Sequence, residues 1–226
     1  MTVACLGHQA AWVSALPDNA LGRSIVRSGR AHGVDTSGVA LRPESEGRAG
    51  LYFLEEGADP RPSSVLYDRQ HSAFARLKPG EFDWPTILKG ASAFHVSGIT
   101  PAVSETAHAE TMTAVQAANN AGVPVFFDLN YRSKLWTEME ARHAFMEIVP
   151  QVDVLFASRG GLRTFFDIEG DEASQGRHRQ CAIRGGPIVH LHVQRDVRRQ
   201  VELPTHGGEL DGGRFDAIEE PIEQSL

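Results

Sequence analysis

Between Ala11 and Phe166 short apolar runs alternate with helical stretches, and this alternation constrains the fold more than any other feature of the chain. It is the sequence form of repeated βαβ units built around a mostly parallel sheet. Trp12 to Ala15 reads as the first strand. Asp18 stands where a helix cap is wanted, with the helix running to about His32, Leu21 and Ile25 on one face, and Gly33 supplying the left-handed turn that ends it. Ala93 to Val96 reads as the next central strand. A helix opens at Ser104 with Ala107, Thr111, Ala114, Val115 and Ala118 on one stripe, stops at Gly122 and is followed by Pro124. Val125 to Phe127 reads as a buried strand. Thr137 and Glu140 form a capping box for a helix through about Ile148, and Val154 to Phe156 give a further central strand.

Two segments interrupt the alternation. Gly50 to Glu55 and Val65 to Gln70 are short and β-prone, and Pro60-Arg61-Pro62-Ser63-Ser64 separates them, so they read as a β-flap over about 48–72. A flap inserted near one end of such a sheet suits a lid, because these sheets bind ligands beyond the carboxyl ends of their strands. After Gly170 the pattern fades. Arg177, Arg179, Arg184, Arg195, Arg198 and Arg199 are scattered, only Ile188 to Val193 reads as a strand, and the stretch from Gly207 to Gly213 with the acidic run to Glu223 is expected to be disordered. The organisation expected is an α/β core with its β-lid over 1–170 and a degenerate region over 171–226.

With 226 residues, 41% of them hydrophobic and 23% charged, the chain can bury a core of its own. A net charge of -7 argues against a partner with a phosphate backbone. No apolar run reaches the roughly 20 residues needed to cross a bilayer, and no basic-then-apolar leader opens the chain, so a cytoplasmic location is expected. Cys5 and Cys181 lack ligand spacing and read as reduced thiols.

Ser14-Ala15-Leu16-Pro17-Asp18-Asn19-Ala20-Leu21-Gly22 followed by Gly33-Val34-Asp35-Thr36-Ser37-Gly38-Val39 is similar to the stretch of ribokinase-type (PfkB) sugar kinases where a strand enters a Gly-ended helix. His95-Val96-Ser97-Gly98-Ile99-Thr100 and Asp128-Leu129-Asn130-Tyr131-Arg132 strengthen the resemblance, and their spacing resembles the 2-keto-3-deoxygluconate kinases of that family. The likeness covers roughly Gly7 to Phe166. It implies a ribokinase-like three-layer sandwich, ATP and magnesium as cofactors, and phosphorylation of a small sugar acid. Expected partners are that sugar acid and a second copy of the chain through the β-lid, with nucleic acid and membrane excluded.

The residues themselves suit such a ligand. Arg132 follows the strand ending at Asp128 and should project from the carboxyl edge of the sheet. Arg69 lies in the flap two residues after Tyr67, hence on the same side of a strand. Two guanidinium groups and a phenol suit a carboxylate beside hydroxyls, since arginine's fork binds carboxylate bidentately. The resemblance implies the same roles. The plainer alternatives are a solvated charge for Arg132 and cross-strand packing for Tyr67 and Arg69. Asp128 and Asn130 are equally readable as ligand contacts or as turn formers that tie down the strand end. His190 and His192 share a strand face without a third ligand, so no metal site is assigned, and Gly160-Gly161 and Gly185-Gly186 read as turns.

The chain departs from the family where phosphate chemistry is done. Relatives of this type take their catalytic base and anion hole from a late Gly-Ala-Gly-Asp stretch opening a helix, and the 226 residues contain none. No catalytic residue is therefore assigned; Asp211 is the one Asp in a Gly-rich setting, and no convincing helix follows it. The Asn-x-x-Glu element that helps organise magnesium corresponds to Ser158-Arg159-Gly160-Gly161, without its carboxylate. Because the match begins almost at Met1, the N-terminal strands and Gly-Gly loop that touch the sugar are also expected to be missing, leaving the fold incomplete at both ends. The expected function is a sugar kinase with impaired or lost activity. A catalytically dead sugar-acid-binding module or gene remnant is the alternative. A Rossmann dehydrogenase is disfavoured because no glycine fingerprint follows the first strand.

Overall fold

The computed structural model describes residues 1–168 and the backbone of two strands at 179–181 and 189–191. Its elements run α1 (Thr2–Cys5), β1 (Ala10–Ala11), β2 (Ser14–Pro17), α2 (Ala20–Ala31), β3 (Val34–Asp35), β4 (Val39–Arg42), β5 (Leu51–Glu55), β6 (Ser64–Asp68) and α3 (Trp84–Ile87). There follow β7 (Phe94–Ser97), α4 (Ile99–Ala102), α5 (Glu105–Ala121), β8 (Val125–Asp128), α6 (Glu138–Ile148), β9 (Val154–Phe156), α7 (Arg159–Phe166), β10 (Arg179–Cys181) and β11 (Val189–Leu191). The chain divides into two compact units: Met1–Lys89 with Thr100–Ala114, and Gly90–Ile99 with Val115–Leu226. Among the described residues no helix is long and apolar enough to cross a membrane.

In the first unit β1 pairs with β3 and β2 with β4, both parallel, as the βαβ pattern predicts. The first strand starts and ends differently from its reading. Trp12 and Val13 fall between β1 and β2, where the backbone steps from one pairing to the other through Trp12 N–H donating to the Asp35 carbonyl and Ser14 N–H to that of Gly38. Helix α2 is capped by Asn19, whose side chain accepts the Gly22 N–H at 2.9 Å, and not by Asp18, which pairs with Arg23 at 2.7 Å. Its buried face is Gly22, Val26 and Gly29, whereas Leu21 is 46% exposed. The reason is a close approach. A Cβ on Gly22 would lie 2.0 Å from the Pro17 carbonyl oxygen, so the helix rides on the end of β2 along its glycine face and leaves Leu21 outside.

The apolar centre of this unit is Ala15, Ala73, Leu77 and Ala107, with Ala40, Phe74, Phe82 and Val103 packed against it. Two buried polar contacts are built around it. Trp84, N1 of a helix capped by Asp83, donates its indole N–H to Glu110 at 2.6 Å, and Glu110 is 3% exposed. Arg42, the last residue of β4, is 5% exposed; its Nε donates to Glu81 Oε1 at 2.8 Å and its Nη1 to the Arg76 carbonyl at 2.7 Å. The interrupting segments form the expected antiparallel hairpin, β5 with β6, in the register Leu51↔Asp68 to Glu55↔Ser64.

The second unit holds a parallel sheet in the order β7-β8-β9. Val125, Phe127, Val154 and Leu155 are buried almost completely, which is why these strands read as continuous apolar runs. Among the described strands β7 lies at the edge of this sheet, with β8 central, rather than in the centre as read from the sequence. Helix α5, whose residues up to Ala114 belong to the first unit, buries the expected stripe of Ala107, Thr111, Ala114, Val115 and Ala118, and Gly122 takes φ +68° after its last turn. The Thr137–Glu140 capping box is present in full at the start of α6. Phe145 of α6 is the hub of the packing. Its ring meets Phe127 at 5.9 Å, Trp136 at 5.3 Å and Phe165 at 5.0 Å, each edge to face, and burying a side chain of this size contributes about 1.5–3 kcal/mol.

Beyond Ile168, β11 falls within the expected strand at 188–193, and it pairs antiparallel with β10, which the arginine-rich sequence did not reveal. Arg179, one of the arginines expected to be scattered, opens β10; Arg177, Arg184, Arg195, Arg198 and Arg199, with His192, Gly185-Gly186, Asp211 and the expected disorder from Gly207 to Glu223, lie outside the described residues.

Candidate functional site

The four residues singled out as ligand contacts fall two in each unit: Tyr67 and Arg69 in the first, Asn130 and Arg132 in the second. In the first unit Tyr67 stands on β6 and Arg69 follows the strand's last residue, Asp68. The expected i, i+2 relation holds. The Arg69 guanidinium lies over the Tyr67 ring, 4.4 Å from its centroid, a cation–π arrangement that orders the charge while leaving its N–H edges available. Arg23, Arg42, Arg48, Arg61 and Arg142 are each bonded to a carboxylate, but no ion pair among the described residues uses Arg69.

The backbone on either side of Arg69 is held by Arg48. One fork nitrogen, Nη1, donates to Asp68 Oδ2 at 2.9 Å and to the Asp68 carbonyl at 3.2 Å. The other, Nη2, donates to the Gln70 carbonyl at 2.9 Å and to Asp68 Oδ1. Gly50 passes close by, and a Cβ there would lie 3.4 Å from Arg69 Cβ. Sequence reading missed Arg48, because its partners are some twenty residues away and no local pattern announces them.

In the second unit the site is the carboxyl edge of β7, β8 and β9. Asp128 ends β8; its Oδ1 accepts the Asn130 N–H at 3.2 Å, and Asn130 takes φ +36°. The turn read for this pair is present: an Asx-type bond bends the chain away from the strand, and Asn130 tolerates the left-handed region. Gly98 makes the edge compact. Its N–H donates to the Asp128 carbonyl at 2.7 Å, and a Cβ on it would stand 2.1 Å from the Leu129 carbonyl oxygen.

Tyr131 and Trp136 anchor the loop that follows. The Tyr131 ring packs on Phe165 at 5.0 Å, its hydroxyl donates to the Trp136 carbonyl at 3.3 Å, and the buried Trp136 indole N–H has no partner among the described residues. Arg132 is exposed and donates to the Tyr131 carbonyl at 3.2 Å. It therefore stands after the carboxyl end of β8 as a cation that no ion pair among the described residues uses. His95 of β7 is exposed in part, yet desolvation by its neighbours holds its imidazolium below the usual histidine range, with the Asp128 carboxylate pulling the other way.

Beyond β9 the chain enters α7. Ser158 caps it by accepting the Gly161 N–H at 3.0 Å, so Gly160 and Gly161 sit in the first turn of a helix and not in the turn expected of them. No carboxylate is present there, and among the described residues no group of three His, Cys, Asp or Glu side chains could hold a metal ion. The first turn of α7 thus offers a magnesium ion no carboxylate of its own.

Comparison with known proteins follows the same lines. A 2-dehydro-3-deoxygalactonokinase of Haloferax volcanii is 43% identical over 166 residues, covering 74% of this chain and 51% of that protein. The crystal structure of 2-dehydro-3-deoxygluconokinase from Thermotoga maritima superposes with a TM-score of 0.69 at 42% identity, over 74% of this chain and 50% of that one. A PfkB carbohydrate kinase structure from Listeria grayi gives a TM-score of 0.71 at 35% identity, over 76% of this chain and 53% of that one. The chain spans about half the length of these relatives, and its fold is the α/β, ribokinase-like fold that they share. Residues 1–184 match the pfkB family carbohydrate kinase, and the chain belongs to that family.

Proposed function

We propose that these 226 residues carry the sugar-acid-recognising part of a PfkB kinase and, by themselves, do not transfer phosphate. The substrate class is a 2-keto-3-deoxy aldonate. Two relatives at 42–43% identity are named for the gluconate and the galactonate, which share a carboxylate and a keto group and differ in configuration at one carbon. The observation that carries the reading is the guanidinium of Arg69 stacked on the ring of Tyr67 and used by no ion pair among the described residues. Arg132, four residues after the end of β8, is assigned by resemblance to carboxylate recognition as well, and Asn130 to the turn that presents it.

Phosphoryl transfer needs a base, donors for the moving phosphate and a cation. The Gly-Ala-Gly-Asp stretch is absent from the 226 residues, and Gly161 stands where the resemblance expects a carboxylate. No step through ATP or magnesium is assigned to the described residues. A coupled assay with 2-keto-3-deoxygluconate, ATP and magnesium is expected to give no turnover above a control without protein. Turnover of even about 1 per second, the low end for kinases, overturns this half of the reading.

The partner assigned to the flap is a second copy of the chain. Leu51, Tyr52, Phe53, Leu54, Leu66 and Tyr67 of the hairpin are between 39% and 69% exposed, and a two-stranded hairpin gains stability by being covered. Sedimentation equilibrium of the wild type and Phe53→Asp tests this. A dimer that the substitution splits is expected; a wild-type monomer refutes it.

A further inference from the structure

We propose that Arg48 is a positioning residue for Arg69, holding its guanidinium on the Tyr67 ring in the orientation that receives a carboxylate. The inference rests on the reading of Arg69 as a sugar-acid ligand. Arg48 does not compete for that ligand, because its fork is engaged by Asp68 and by the carbonyls of Ala49, Asp68 and Gln70. Those bonds fix the peptide before Arg69 and, one residue beyond it, the Gln70–His71 peptide. With the chain held on both sides of residue 69, the backbone from which the Arg69 side chain leaves is restricted, and Gly50 passes beside it, where a Cβ would stand in ordinary contact, 3.4 Å from Arg69 Cβ.

Further fixing comes from the Arg69 carbonyl, which accepts the Ser72 N–H at 3.3 Å. His71 between them has φ +58°, so the chain turns sharply after the strand. The stem of Arg69 is thereby aimed back along β6 at Tyr67, two residues earlier. A guanidinium that arrives already stacked loses less freedom on binding than one that must be ordered by its ligand. The two charges of the Arg48–Asp68 pair cancel, so the net positive charge of this stretch is that of Arg69.

Lysine at position 48 keeps the charge and removes the fork. The Arg48–Asp68 pair is 42% and 47% exposed and contributes little to stability, so Arg48→Lys is expected to unfold at the wild-type temperature. The first readout needs no ligand. At 4.4 Å from the ring centroid, the Arg69 side-chain protons are shifted upfield by Tyr67, and in Arg48→Lys that shift is expected to collapse toward its value in Tyr67→Leu. Asp68→Asn, which weakens the clamp from its other side, is expected to reduce it in the same direction. An Arg69 shift unchanged in both variants overturns the proposal.

The second readout is calorimetry with 2-keto-3-deoxygluconate. Arg48→Lys is expected to weaken binding by roughly tenfold in the wild-type background and not at all in Arg69→Ala, the coupling of two residues in one network. An equal loss in both backgrounds overturns positioning through Arg69. If Arg69→Ala leaves the affinity unchanged while Arg48→Lys still collapses the ring shift, the carboxylate reading fails and takes the purpose assigned to Arg48 with it.

Discussion

Replacing Glu81 with Ala should be among the most damaging single changes in the first unit. Arg42 is 5% exposed at the end of β4, and Glu81 receives two of its donors, one from Nε at 2.8 Å and one from Nη2. Without that carboxylate the guanidinium retains the Arg76 carbonyl at 2.7 Å and stays shielded from water. Breaking a buried pair from one side costs about 3–5 kcal/mol, because the remaining charge is uncompensated. Set against a total stability of about 5–15 kcal/mol, this leaves a domain near its threshold. The double replacement Arg42→Met with Glu81→Leu removes both charges and is expected to lie within about 1 kcal/mol of wild type or above it. Urea unfolding followed by tryptophan fluorescence measures both, with an unchanged m-value as the check that the denatured state is the same. A loss under about 1 kcal/mol in Glu81→Ala, or a double variant as unstable as the single one, would refute the argument that this pair is desolvated.

Thr137→Ala removes a cap whose hydroxyl accepts the Glu140 N–H at 3.3 Å and is expected to cost about 1 kcal/mol by the same urea assay. Gly98→Ala forces a Cβ against the Leu129 carbonyl oxygen at 2.1 Å and is expected to cost about 1–3 kcal/mol while shifting the amide resonances of 128–132. Because His95 is depressed below its ordinary value of 6.5, the unfolded chain takes up this proton first as the pH falls. Stability should be complete above about pH 6.5, decline as the pH drops toward the folded value, and decline less in His95→Gln, as thermal unfolding at several pH values will show.

What the sequence disclosed and what it withheld divide on physical grounds. The α5 stripe, the apolar run of β8 and the Thr137–Glu140 box were legible because periodicity and capping are local. The face of α2 was not. Leu21 looks like a core residue until the 2.0 Å approach of Gly22 to Pro17 is known, and Asp18 and Asn19 are adjacent residues of equal capping ability. Tyr67 with Arg69 could be read from the two-residue period of a strand, whereas Arg48 reaches them only through the folded hairpin. Asp128 and Asn130 remained open in the sequence because one residue pair serves both a turn and a ligand, and the bond from Asn130 N–H resolved the turn. Strand β10 was missed because Arg179-Gln180-Cys181 has no β-branched or aromatic residue to announce it.

The central claim is that the chain recognises a sugar acid through its carboxylate, and calorimetric titration of wild type and Arg132→Ala with 2-keto-3-deoxygluconate and with ribose tests it most directly. Arg132 is exposed in the free chain, so its removal should leave stability within about 0.5 kcal/mol of wild type. A ligand that desolvates the guanidinium makes the same change cost on the order of 2–5 kcal/mol in binding, against well under about 1 kcal/mol for a charge that stays in water. The account predicts that the acid binds, that ribose binds more weakly, and that Arg132→Ala loses the acid by the larger amount. Equal affinity for acid and neutral sugar, or an Arg132→Ala variant that binds the acid as well as wild type, contradicts it.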